Sequence, residues 1–204
     1  MQALLKLSKL IDNITLLIGK GLVWIILLVT IISATNAVVR KAFNYSSNAF
    51  LEVQWYLFAA VFMLGAGYVF LKNAHVRIDF VYGRLSLKAQ ALIDVIGIVL
   101  FLAPFCYLMI VLGWPIFSRA WVSGEMSQNA GGLIRWPAYG VIPLGFALLL
   151  MQGVSELIKR IAFMLDLIPT ATSEDQVESD EEKLARELLE ETDRKHAAKV
   201  GAAT

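Results

Sequence analysis

Polar and apolar positions along this chain are sorted into blocks. The sequence carries 18 basic and 17 acidic side chains over 204 residues, yet four long windows hold none. These are residues 21–39, 53–71, 95–118 and 136–155, with 19, 19, 24 and 20 residues. A bilayer core about 30 Å thick is crossed by about 20 helical residues at 1.5 Å each. The pattern therefore predicts an all-α integral membrane protein with four transmembrane helices, at about 21–39, 50–71, 95–118 and 136–155. Ahead of them, Leu7, Leu10, Ile11, Ile14, Leu17 and Ile18 recur at helical spacing, while Lys6, Lys9, Asp12 and Asn13 take the other side. That reads as an N-terminal interfacial amphipathic helix over residues 1–20.

Local signals refine the spans. Thr30, Ser33, Ala34 and Ala37 form a small-residue stripe on the first, the kind of face through which helices associate in lipid. Ser86 is placed to cap a short interfacial helix leading into the third span. Pro104 predicts a kink near residues 100–104. The fourth span opens on Trp136-Pro137, with proline in the first helical turn, and Pro143 and Gly145 weaken its regularity. The membrane domain is expected over residues 21–169. Beyond Pro169, residues 170–204 hold ten acidic and five basic side chains and no aromatic. Such a segment reads as an acidic cytoplasmic tail, a fraying helix or disordered.

Composition agrees with this picture. Hydrophobic residues make up 58% and mean hydropathy is +0.66, above the roughly 45–50% apolar content of soluble domains. Basic residues near the spans give orientation. Nine (Lys6, Lys9, Lys20, Lys72, Arg77, Arg84, Lys88, Lys159, Arg160) fall on one side and four (Arg40, Lys41, Arg119, Arg135) on the other. Both termini are accordingly expected in the cytoplasm. A net charge of +1 offers no basic surface for nucleic acid. The single cysteine, Cys106, reads as a small buried apolar side chain.

The chemistry expected of an enzyme or pump is missing. No ionisable residue interrupts the four windows, although such residues mark proton relays and ion paths. His75 and His196 lie in a loop and in the tail, which excludes bis-histidine haem ligation inside the bundle. No serine elbow, HExxH helix or phosphate loop occurs. The chain is read as a non-enzyme without cofactors.

Three polar constellations remain. Glu52 and Trp55 open the second span, where a carboxylate suits the positive end of the helix dipole; they are either a helix start with an aromatic anchor or a contact to a partner subunit. His75, Arg77 and Asp79 alternate in the loop after that span and read as a structural clamp, too few ligands for a metal. Asn129-Ala-Gly-Gly leads through Arg135 to Trp136-Pro137, with glycines that permit close backbone approach.

Taken in order, these motifs carry a family resemblance. Arg40-Lys-Ala-Phe43-Asn44, Glu52 with Trp55, Leu64-Gly65-Ala66 and His75-Val-Arg77-Ile-Asp79 come first. Asn129-Ala-Gly-Gly, Trp136-Pro137 and Ile142-Pro143-Leu-Gly145-Phe146 follow. Over about residues 10–162 the chain resembles the small membrane subunit (DctQ-type) of tripartite ATP-independent periplasmic (TRAP) transporters. The resemblance implies a bacterial inner-membrane scaffold subunit with two protein partners: a large multi-span permease bearing the sodium and substrate sites, and a periplasmic substrate-binding protein. It implies sodium-coupled import of an organic acid or related solute. Partner-subunit or helix-packing contacts are then expected at Thr30, Ser33, Ala34, Ala37, Glu52, Trp55 and Gly65. Loop and interface anchors, facing membrane lipids, are expected at His75, Arg77, Asp79, Trp136, Pro137 and Pro143. The alternative is a stand-alone tetraspan assembly factor or small channel.

Overall fold

Helix α1 runs without a break from Gln2 to Phe43 in the computed structural model, which describes residues 2–44, 47–73, 82, 84–169 and 188. Helix α2 is Asn48–Leu71. Helix α3, Leu87–Gly97, passes through a π-helical turn, Ile98–Leu102, into α4, Ala103–Ser123. Helix α5 is Trp136–Met164. Among the described residues, four helical stretches, counting α3 to α4 as one, are long and apolar enough to cross a membrane.

The expected boundary at residue 20 is absent, because nothing in the sequence breaks the helix there. Residues 2–43 contain no proline, and Gly19 and Gly21 sit in a run of good helix formers. At 1.5 Å per residue, 42 residues reach about 63 Å, twice the bilayer core. The packed stripe of α1 is Ser8, Ile11, Thr15, Gly19, Leu22 and Val29. Of the apolar face read from the sequence, Ile11 is buried, while Leu7, Leu10, Ile14 and Leu17 are exposed, Leu17 to 73%. The rule for a water-soluble surface helix is inverted here. Ser8 and Thr15 turn into the bundle because they meet Ser155 and Gln152 of α5, which leaves the leucines facing outward.

Glycines set the helix spacing. Gly19 lies against Tyr68, Gly65 against Leu22, and Ser33 bonds Gln54, so α1 and α2 run antiparallel in constant register. A Cβ built on Gly145 would lie 2.7 Å from the Met63 carbonyl oxygen, and one on Gly67 would lie 3.5 Å from that of Leu148. Helices α2 and α5 therefore touch backbone to side. Gly113 faces Pro143, Gly140 faces Phe117, and Phe105 meets Phe146 edge to face at 5.4 Å, which locks α4 antiparallel to α5.

Where a kink is expected from Pro104, the chain forms a π turn, Ile98–Leu102, just ahead of the proline. Proline offers no N–H at position 104, and the Ala103 N–H reaches back five residues to the Ile98 carbonyl. Widening by one residue is a known way to absorb a break in the hydrogen-bond ladder. Ser86 caps α3 by accepting from the Ala89 N–H at 3.3 Å.

The Gly145 contact allows a direct check. Gly145→Ala drives a methyl into the Met63 backbone and should destabilise the bundle by about 1–3 kcal/mol. Gly97→Ala, which meets nothing within 4 Å, should be neutral or slightly stabilising. Thermal unfolding in mild detergent compares the two.

Candidate functional site

Two polar clusters close the bundle, one at each end. At one end α1, α3 and α5 contribute complementary stripes: Ser8, Asp12 and Thr15 from α1, and Gln152, Ser155, Glu156, Lys159 and Arg160 from α5. Asp94 joins them from α3. Thr15 donates to Gln152 Oε1 at 2.8 Å, and Gln152 Nε2 donates to Asp12 Oδ1 at 2.9 Å. The Ser8 and Ser155 hydroxyls lie 2.7 Å apart, and Ser155 donates to Asp12 at 2.7 Å.

Charges are interleaved with these hydroxyls. Lys159 pairs with Asp12 at 3.1 Å and with Glu156; Arg160 pairs with Asp94 at 2.9 Å and with Glu156. Tyr82 donates to Asp94 at 2.8 Å. Gln152 and Ser155 are fully buried, and Glu156 and Arg160 are 2% exposed. Charges so far from water persist only when paired and hydrogen-bonded. The cluster therefore specifies which helices meet and in what register.

The opposite end is organised by Glu52. Its Oε1 accepts from Ser127 Oγ and from Asn129 Nδ2 (2.8 Å), and its Oε2 accepts from the Leu133 N–H at 2.7 Å. Asn48 Nδ2 donates to the Ala130 carbonyl at 3.0 Å. The loop is closed on itself by the Met126–Ile134 bridge and the Glu125–Arg135 ion pair at 2.9 Å. The Glu125 hydrogen bond pushes the Arg135 pKa above its already high ordinary value. Gly131 supplies a positive φ of 70° at the loop tip, a conformation that favours glycine. Between Arg135 and Glu156, α5 advances about 30 Å, the thickness of a bilayer core. Each polar cluster thus sits where one face of the membrane belongs.

The residues singled out in the sequence fall into separate groups. Both Glu52 oxygens are taken within the chain, while Trp55 is 68% exposed. Thr30, Ala34 and Ala37 lie on the exposed side of α1, with Thr30 Oγ1 bonding its own helix at Ile26. Ser33 turns inward to Gln54 Oε1 at 2.9 Å, and Gly65 packs on Leu22. Trp136 stacks edge-on with Trp121 at 4.5 Å beside Pro137, and Pro143 is buried against Gly113. His75, Arg77 and Asp79 lie outside the described residues, as does the tail apart from Leu188. Among the described residues no three potential ligands gather to hold a metal ion.

Sequence reasoning missed the Asp12–Glu156–Arg160 cluster. The signal was present as two polar stripes at three- and four-residue spacing, Ser8/Asp12/Thr15 and Gln152/Ser155/Glu156/Lys159. Each stripe taken alone is indistinguishable from a solvated helix face or a span end.

A helical bundle with polar ends and an apolar waist of about bilayer thickness is a multi-span membrane protein, its outer face suited to lipid or to other membrane helices. The family described as Tripartite ATP-independent periplasmic transporters, DctQ component, matches residues 19–163, and the chain belongs to it. No curated protein matches the chain. Membership makes it the small membrane component of a transporter that also comprises a large membrane subunit and a substrate-binding protein.

Arg160→Met should test the ionic cluster, because it removes the cation that Asp94 and Glu156 share and leaves Lys159 as the remaining ion-pair partner of Glu156. A loss of about 3–5 kcal/mol is expected, with much of it recovered when Glu156→Gln and Asp94→Asn are added. Glu52→Ala should release the 124–135 loop while the spans stay inserted, read as faster limited proteolysis between Gly124 and Arg135.

Proposed function

We propose that this chain is the fixed scaffold of its transporter, with no share in the coupling chemistry. In this reading the complex is a sodium-coupled secondary transporter importing an organic acid or related solute, and the ion and solute sites belong to the large subunit. The observation that carries it is the content of the bundle's waist. Gly145 on Met63, Gly113 on Pro143, Phe105 on Phe146 and Gly65 on Leu22 fill that level. Binding sodium or a carboxylate at mid-membrane takes oxygen ligands, charges or broken-helix ends aimed at one point. The breaks here, the π turn, Pro115 and Pro143, stay inside continuous helices. The buried carboxylates are held in the end clusters by their own chain.

The basic-residue bias puts the ionic cluster and both termini on the cytoplasmic side of the inner membrane, and the Glu52 loop on the periplasmic side. The exposed side of α1 at Thr30, Ala34 and Ala37, together with Trp55, is assigned to contact with the large subunit.

Two measurements test the reading. Cysteines at Asn44 and Gln128 should react with impermeant maleimide from the periplasm, and cysteines at Leu85 and Leu167 should not; the reverse pattern inverts the topology. Alanine at Thr30, Ser33, Asn36, Gln54 or Gln152 should leave sodium stoichiometry and apparent solute affinity unchanged in uptake normalised to intact complex. A normalised shift in either from any one of them places part of the translocation path in this subunit.

A further inference from the structure

Lys20 is out of place for a membrane-end lysine. The antiparallel register that puts Gly19 on Tyr68 and Leu22 on Gly65 sets Lys20 level with Gly67 of α2. Gly67 in turn lies beside Leu148 and Gln152 of α5. The charges of the neighbouring helices begin later, at Lys72 and Glu156. Five residues separate Gly67 from Lys72, so the Lys20 backbone sits about 7 Å further into the apolar waist than that level.

Its direction is as unusual as its depth. Lys20 is exposed, lies next to the buried Gly19, and has no ion pair or hydrogen bond among the described residues. Following it at alternating four- and three-residue steps are Trp24, Leu27, Ile31 and Ala34, all exposed, Trp24 to 72%. These five residues form one straight seam on the side of α1 away from Ser8, Ile11, Thr15, Leu22 and Val29. Such a seam has the spacing of a helix contact, and Ala34 at its far end lets another backbone approach closely.

A lysine at this depth reaches the headgroups only by stretching its whole side chain along lipid, whereas ionisable groups inside membranes are almost always paired. The chain supplies no carboxylate on that face among its described residues, and the ionic cluster on the opposite face spends its own acids internally. We propose that Lys20 is an intramembrane ion-pairing site for the large membrane subunit. A carboxylate on one helix of that subunit meets the Lys20 ammonium, and the helix runs along α1 through Trp24, Leu27, Ile31 and Ala34. This inference rests on the reading of the chain as a subunit bound to that partner, and it names the charge that fixes their register.

The test uses the assembled complex purified in mild detergent by a tag on this chain. Removing one member of a desolvated charge pair costs affinity steeply. Lys20→Gln should lower recovery of the large subunit at least about tenfold, and Lys20→Arg should retain most of it. Dicyclohexylcarbodiimide, a zero-length coupler active in lipid, should join Lys20 to an Asp or Glu of the large subunit, identified by peptide mass. A photo-crosslinking residue in place of Trp24 should capture the same helix, and one in place of Val111 on α4 should not. Undiminished recovery with Lys20→Gln, or capture of phospholipid alone from position 24, overturns the pairing while leaving the subunit reading intact. If the unaltered chain brings down no multi-span partner, the subunit reading fails first.

Discussion

Everything in this bundle depends on keeping Glu156 and Arg160 paired where water cannot reach them. Both sit on α5, the helix that packs against α1, α2, α3 and α4, and both are nearly inaccessible. Arg160 reaches Asp94, Lys159 reaches Asp12, and Glu156 links the two cations. An unpaired charge here would be far more expensive than any single contact in the apolar waist. Helix order and register at this end are thereby fixed by pairing, in a solvent where apolar side chains have no preference between protein and lipid.

The waist then needs only shape. Glycines at 67, 113, 140 and 145 bring backbones and rings into contact, and dispersion summed over those contacts holds the helices together. The π turn before Pro104 carries the chain from α3 into α4 without interrupting the span. At the other end Glu52 gathers a loop instead of a helix. Its carboxylate satisfies Ser127, Asn129 and the Leu133 amide together, so a glycine-rich segment keeps one conformation over the end of α2. A component clamped by its own polar contacts at both ends suits the fixed role proposed for it.

Much of this was legible in the sequence. Charge-free windows gave the four spans, because twenty residues without a charge is a length set by the bilayer itself. Ser86 as a cap and Pro104 as a site of irregularity followed from local backbone chemistry. Three things were not legible, each for a physical reason. The run of α1 through residue 20 is not legible because Lys20 borders the apolar window at 21–39, and a charge there looks the same whether a helix ends or continues. The inward turn of Ser8, Asp12 and Thr15 is not legible because their partners, Gln152, Ser155 and Lys159, lie about 140 residues away on α5. Glu52's partners lie about 80 residues away, beyond the reach of any local pattern.

The proposed scaffold role requires this subunit to hold still while the transporter works. Spin labels at Gln128→Cys, on the Glu52 loop, and Leu165→Cys, just past α5, report the length of the frame from end to end; Cys106, fully buried, stays unlabelled. In the assembled complex, pulsed dipolar spectroscopy should give one narrow distance distribution that is unchanged by adding sodium, solute or loaded binding protein. A second distance appearing with sodium or solute would show that the two clamps move relative to each other, and the scaffold account would be wrong.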